Sequence, residues 1–308
     1  MTSVLVVGMV VVDFVFTVDA MPVSAEKYVA SDASMVGGGG AANAAVAISN
    51  LGGRAQLCGR IGDDMIGGLI VNDLQQYNVD CTLLQRTTGA RSSYSSVLID
   101  SAGERLIVNY RGQNLSDDVA AMSRLADDNA RQPSAVLADT RWRKGVIAAM
   151  QLARQLDVPG ILDAEAQTDA EALRLASHIA FSKQGLVSLT GNTNLEQSLL
   201  AVAETYESWL CVTDGANGVY YIQDEAVCHV PAPVVEVVDT LGAGDVWHGA
   251  FALAMANKNK QYTVGQTERD AILFANAAAS LTCSCAGGGR VSPTQAEVYS
   301  LLNSKQIQ

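Results

Sequence analysis

Basic charge is scarce in this 308-residue chain: 20 Lys and Arg face 32 Asp and Glu, a formal net charge of −12. That deficit argues against a nucleic-acid or anionic-membrane partner, because both require a basic footprint. Long apolar runs are also missing, none approaching the roughly 18 residues that a membrane span needs. The N-terminal stretch, residues 1–16, resembles a signal peptide only superficially. It has no basic start, Asp13 interrupts it, and it reads as a buried strand. There are three His, and the six Cys (58, 81, 211, 228, 283 and 285) sit singly with no CxxC pair. This suits reduced core thiols in a cytoplasmic protein better than a zinc site or a disulfide framework. Repeats, low-complexity tracts and long linkers are absent too. Apolar residues are plentiful: 49% of the chain is hydrophobic against 17% charged, enough for a sizeable core.

The recurring unit is a short Val/Ile/Leu/Ala run, a polar or glycine turn, and an Ala-rich amphipathic stretch. Strands are expected at 3–7, 55–61, 134–138, 160–163, 179–182 and 209–213. Helices are expected at 41–51, 64–77, 144–155, 195–205, 243–256 and 268–283. Short apolar strands alternating with helices predict an α/β fold with a mostly parallel sheet covered on both faces. Functional groups then gather at the carboxyl ends of the strands. Two segments, roughly 15–36 and 92–110, alternate polar and apolar residues instead, and 92–110 reads as a hairpin turning at 101–104. They predict a small β-sheet lid on a single domain spanning 1–308.

Asp239-Thr240-Leu241-Gly242-Ala243-Gly244-Asp245 carries the strongest chemical signal. Small residues entering a helix expose backbone N–H groups at its positive end, which is an anion site. A carboxylate at Asp245 would repel a phosphate there unless it serves as a general base for a hydroxyl attacking phosphorus. The plainer alternative is a helix start with an N-terminal Asp. Gly37-Gly38-Gly39-Gly40-Ala41-Ala42-Asn43 leads into another helix; it serves either a hinge or close approach to sugar hydroxyls, with Asn43 offering donor and acceptor. A dinucleotide fingerprint is missing, since the turn after the first strand reads Gly8-Met9-Val10-Val11-Val12-Asp13. Asp13 itself is a turn residue or a ligand for paired hydroxyls. The segment from Thr213 through Gly215 to Gly218 is a nucleotide loop or a simple hairpin turn. Asn276, within an Ala-rich helix, contacts a base or ribose, or ties helices together. His248 reads as packing or support behind Asp245.

Taken together these motifs resemble the ribokinase/PfkB family of carbohydrate kinases, along essentially the whole chain. The resemblance implies a ribokinase-like three-layer core with a lid, and MgATP-dependent phosphorylation of a hydroxymethyl group. It assigns Asp245 as catalytic base and Gly242, Ala243 and Gly244 as the anion hole. Asp13, Gly39 and Asn43 take sugar-contacting positions; Thr213, Gly215, Gly218 and Asn276 surround ATP. The family's Asn-x-x-Glu motif, which organises water around Mg²⁺, is replaced by Ser182-Lys183-Gln184-Gly185, so no protein ligand to the metal is named. A narrower resemblance, carried by 27–30, 107–110, 137–142 and 239–249, is to family members that phosphorylate 6-deoxy-6-sulfofructose at C1. It implies that Lys27, Asn109 and Arg141 hold the sulfonate, an ammonium, an amide and a guanidinium for three acceptor oxygens. Lys27 and Arg141 as ordinary solvated cations is the alternative. Other ketoses, or a ketose phosphate such as fructose 6-phosphate or tagatose 6-phosphate, are alternative substrates. A catalytically silent sugar- or nucleotide-binding protein is a further alternative, supported by the lost Asn-x-x-Glu motif and opposed by the retained Asp245. A partly apolar outer lid face predicts a homodimer through the lids.

Overall fold

The computed structural model describes residues 2–257 and 268–304. Its strands are β1 Ser3–Gly8, β2 Val11–Thr17, β3 Asp32–Gly38, β4 Arg54–Gly62, β5 Gln85–Thr87, β6 Tyr94–Ile99, β7 Arg105–Tyr110, β8 Ala135–Ala138, β9 Gly160–Ala164, β10 His178–Ser182, β11 Trp209–Thr213, β12 Val219–Gln223 and β13 Ala226–Val230. The helices are α1 Gly40–Asn50, α2 Met65–Gln76, α3 Ala120–Ser123, α4 Arg143–Gln155, α5 Ala170–Leu175, α6 Lys183–Thr190, α7 Leu195–Ala203, α8 Ala243–Ala256, α9 Glu268–Cys283 and α10 Gln295–Asn303. Nine strands form the main sheet in the order β13-β12-β11-β10-β9-β8-β1-β4-β5. It is parallel from β5 to β11, with an antiparallel hairpin, β12 and β13, closing one edge. One apolar cluster packs α1, α8 and α9 on one face; a second packs α4 and α7 on the other. This three-layer arrangement matches the α/β expectation.

Strand order reverses beside β1: the chain runs outward through β4 and β5 on one side and through β8 to β11 on the other. Such a reversal leaves a crevice at the carboxyl ends of β1 and β8, where α/β sheets bind ligands. Helix α8 is buried at every position from Val246 to Met255, as expected of a helix apolar on all sides. It crosses α1 closely, since a Cβ on Gly249 would lie 2.6 Å from the Ala44 carbonyl oxygen. That crossing sets the spacing between the side chains one turn earlier on α8 and those beside Ala44.

The N-terminal segment departs from expectation. Residues 1–16 are not one buried strand but two, β1 in the main sheet and β2 in the lid. The chain turns between them at Gly8, where a Cβ would sit 2.2 Å from the Asp139 carboxyl group. Asp13 is therefore in the middle of β2. The lid is a four-stranded sheet ordered β3-β2-β6-β7, with β2 and β6 parallel and the other pairs antiparallel. It includes the hairpin at 92–110 and begins earlier, at Val11. The sequence reading did not include the β12–β13 hairpin, the short edge strand β5 or the helices α3, α5, α6 and α10. Among the described residues no helix is long and apolar enough to cross a membrane.

Candidate active site

Asp245 lies in the first turn of α8, at the crevice beside β1 and β8. The helix is entered through Gly242, whose φ of 73° is left-handed and whose Cβ would lie 2.5 Å from Gly289, so glycine is required there twice over. Gly244 differs: an added Cβ would meet no protein atom within 4 Å, leaving open space beside the helix start. The N-terminus of α1 faces the same point, with a Cβ on Gly40 falling 3.3 Å from Asp245 Oδ1. Gly39 precedes it at φ 96° with Met9 O only 2.4 Å from its own would-be Cβ. Asn43, in the second turn of α1, donates from Nδ2 to Asp245 Oδ2 at 2.7 Å.

Three carboxyl groups and one imidazole share this floor. Asp139, just beyond β8, is buried and accepts from the backbone N–H of Met9 (2.7 Å), Arg141 (2.9 Å) and Ala41 (3.3 Å). Asp163, in β9, lies 3.4 Å from His248 Nε2, while His248 Nδ1 sits 2.8 Å from Gly244 O. Burial raises the pKa of Asp139 and of Asp163 and lowers that of His248. Burial likewise pushes Asp245 up, to about 6. The Asn43 N–H opposes the rise, the Asp163 and Asp139 carboxyls add to it, and His248 opposes it. A carboxylate poised near neutrality is matched to taking a proton from a hydroxyl. His248 is held through Nδ1 at the Gly244 carbonyl, while its buried Nε2 faces Asp163 without a hydrogen bond.

On the lid side of Asp245 is a cavity of about 250 Å³. The period-2 alternation of the lid strands dictates its roof. Asp13, Ser95 and Asn109 are register partners across β2, β6 and β7, and so are Val15, Val97 and Ile107. All six line the cavity, giving a polar row beside an apolar one. Ser95 Oγ donates to Asn109 Oδ1 at 2.7 Å, which leaves the Asn109 NH₂ as a donor. Gly39 and the cations Arg105, Arg111 and Arg141 also line it, with Ser93, Tyr94 and Tyr110. Arg141 pairs with Glu165, and Arg105 pairs with Asp239 at 2.9 Å, tying the lid to the loop before α8. Lys27 is elsewhere: it is exposed in the loop between β2 and β3, beside a turn in which the Tyr28 hydroxyl accepts from the backbone N–H of Val23 and Ser24. It does not line the cavity.

A second cavity, of about 390 Å³, lies on the other side of the α8 N-terminus. Thr213, Gly215, Gly218 and Asn276 all line it, together with Ala243 and Gly244. Gly215 and Gly218 have φ of 54° and 93°, turning the chain tightly between β11 and β12. The Asn276 amide is already committed: Oδ1 accepts from Trp247 Nε1 at 2.8 Å and Nδ2 donates to the carbonyls of Val230 and Pro231. Its role in the structure is therefore the tie between helices, placed at the cavity wall. The first cavity reaches Gly39 and Leu241 beside the start of α8, and the second is walled by Ala243 and Gly244. The half-buried Asp245 lines neither, facing a small space shared with Asp139, Asp163 and His248.

A family model described as pfkB family carbohydrate kinase matches residues 1–295. The chain belongs to that family. It is an ATP-dependent carbohydrate kinase with a ribokinase-like fold. Ribokinase of Bacillus subtilis is 29% identical over 98% of this chain and the whole of its own. Fructokinase of Vibrio alginolyticus is 27% identical over 86% of this chain and 91% of its own. Among solved structures, Arabidopsis thaliana ribokinase complexed with ribose and ATP is 26% identical, with a TM-score of 0.82 over 98% of both chains.

Sequence reasoning missed Asp139, Asp163, Glu165, Arg105, Arg111 and Arg290. Of these, Asp139 carried a usable signal, a lone acidic residue directly after an apolar strand. Residues 182–185, where the family's metal-organising motif is lost, form a helix start: Ser182 Oγ accepts from Gly185 N at 3.0 Å and Lys183 pairs with Asp214 at 2.8 Å. Among the described residues no group of three or more His, Cys, Asp or Glu is arranged to hold a metal ion. These residues do not fit a dedicated Mg²⁺ site, and no catalytic step is routed through one.

Proposed function

We propose that this kinase transfers the γ-phosphoryl group of ATP to the C1 hydroxyl of 6-deoxy-6-sulfofructose, giving the 1-phosphate, with Mg²⁺ arriving on the nucleotide as MgATP. The observation that carries the reading is the cation and amide lining of the lid cavity. Asn109, Arg111 and Arg141 share it with Asp13 and Gly39, so donors for an anionic substituent and a carboxylate for hydroxyls line one cavity. Asp13 holds sugar hydroxyls; Asn43 does not reach the cavity, its amide being taken by Arg290 and Asp245. Asp245 takes the C1 proton as the oxygen attacks phosphorus. The phosphoryl group passes from nucleotide to sugar as the proton passes to the carboxylate. Backbone N–H groups at Gly242, Ala243 and Gly244 stabilise the charge on the transferred group, and the lid excludes water. ATP occupies the cavity lined by Thr213, Gly215 and Gly218, with Asn276 holding its wall.

A second reading is favoured by two observations: Glu165 already neutralises Arg141, and Lys27 is outside the cavity. A neutral ketose such as fructose then fits. The deciding assay compares kcat/KM for sulfofructose, fructose, fructose 6-phosphate and tagatose 6-phosphate, in wild type and Arg141→Ala. Sulfofructose is expected to win, and Arg141→Ala to reduce its kcat/KM at least tenfold more than that of fructose. Equal losses would make Arg141 structural and leave the neutral sugar as substrate.

The chain acts in this reading as one kinase unit in which the two lid segments cover the sugar. Met35 and Val108 expose 58% and 60% of their surfaces on the lid, which supports a homodimer formed lid to lid; a monomeric mass in sedimentation would exclude it. The six unpaired thiols support a reducing, cytoplasmic setting.

A further inference from the structure

The kinase reading leaves one buried cation without a task. Arg290 follows Gly287-Gly288-Gly289 after α9 and is 7% exposed. Its Nη1 donates to Asn43 Oδ1 at 2.9 Å, and its Nη2 lies 3.0 Å from Asp73 Oδ2 on α2. Asn43 in turn donates to Asp245. Two glycine runs make room for this chain of contacts. A Cβ on Gly37 would fall 2.2 Å from Arg290 Nη2 and 2.1 Å from Asp73 Oδ2; one on Gly289 would fall 2.8 Å from the Asn43 amide. The first glycine of the four-glycine run is thus needed to seat a guanidinium, apart from any contact with a ligand.

We propose that Arg290 is a positioning residue for Asp245, acting through the Asn43 amide. This deepens the kinase reading and rests on its assignment of Asp245 as the base. A guanidinium has donors alone, so it holds the amide oxygen of Asn43 toward itself and leaves the amide NH₂ for the carboxylate. Donation from a charged group also polarises the amide and strengthens its N–H as a donor. Without Arg290 the buried Asn43 oxygen loses its partner and the amide is free to seek another. The Arg290 charge also reaches Asp245 directly, and an Asn43→Ala background separates that route from the amide. The other groups facing Asp245 are Asp139 and Asp163 from the strand ends and His248 from its own helix.

The test reads Asp245 directly, by ¹³C-carboxyl titration assigned with Asp245→Asn, beside kcat measured against pH. In Arg290→Met the Asp245 midpoint is expected to rise by about 0.5–1 pH unit. The kcat falls about tenfold while the KM for ATP stays within twofold. In an Asn43→Ala background the same substitution moves the midpoint less than half as far. Arg290→Lys keeps the charge but cannot span Asp73 and Asn43 together. It gives a smaller shift of the same sign and carries the test should the Met variant not fold. An unmoved midpoint in a folded Arg290 variant, or an equal shift with and without Asn43, overturns the proposal. Because the titration needs no turnover, failure of wild type to phosphorylate any sugar would strike the kinase reading alone.

Discussion

Replacing Asp245 with Asn should make the protein more stable at neutral pH while nearly abolishing turnover. The carboxyl of Asp245 is raised from an ordinary 3.8 to about 6, first by burial. The folded state therefore binds the proton more tightly than the unfolded chain does. For an acid raised this way, the stabilising contribution is complete below about pH 4 and is lost as pH rises from 4 through 6. Above that, the folded protein carries an ionised group in a place that disfavours charge. A rise of this size corresponds to about 3 kcal/mol, less whatever water reaching its exposed edge recovers. An amide avoids that cost and still presents an oxygen to the Asn43 NH₂. Urea or thermal unfolding of both proteins between pH 4.5 and 8 measures it. The Asn variant should lead by about 1 kcal/mol at pH 4.5, where the unfolded carboxyl is already mostly ionised, and by up to about 3 kcal/mol at pH 7.5, roughly 4–6 °C in Tm. The kcat should fall about 10³-fold, and the wild-type acid limb should have its midpoint near pH 6. Equal stability at pH 7.5, or a less stable Asn variant, would refute the idea that burial sets the properties of this carboxyl.

Gly244→Ala probes the anion site without touching the fold. Its Cβ would meet no protein atom within 4 Å, so stability should be unchanged or raised by up to about 1 kcal/mol. A loss of at least tenfold in kcat/KM for ATP, measured at saturating sugar, is expected; normal ATP kinetics would remove Gly244 from the phosphate site. Arg105→Ala removes the bond between β7 and Asp239. A partly exposed pair of this kind contributes up to about 1 kcal/mol, so the sugar KM should rise about three- to fivefold, and an unchanged KM would mean that the contact does not hold the lid.

How far the sequence could be read depended on how local each signal was. The start of α8 was legible because its parts are consecutive: left-handed turn, small residues, acid, apolar helix. Strand β11 and the helices α8 and α9 fall where their own periodicity puts them. The end of β1 at Gly8 was legible, but the start of β2 was hidden, because Val10, Val11 and Val12 continue the apolar run with no polar residue to mark where the second strand begins. What the sequence could not show is why glycine is needed there: the Asp139 carboxyl group fills the space that a Cβ on residue 8 would take. The same limit applies inside the site. Asn43 and Arg290 are 247 positions apart, and a glycine run looks alike whether it admits a sugar, a phosphate or an arginine. Lys27 shows the converse. Its charge and its place in a lid segment suited an anion, but the turn that fixes its direction is made by Tyr28 and the backbone of Val23 and Ser24. A side chain's type is written at its own position, whereas its direction is set by neighbours that the fold brings to it. Asp245 could therefore be named from seven residues, while the groups that tune it (Asp139, Asp163 and Arg290) required the packed structure.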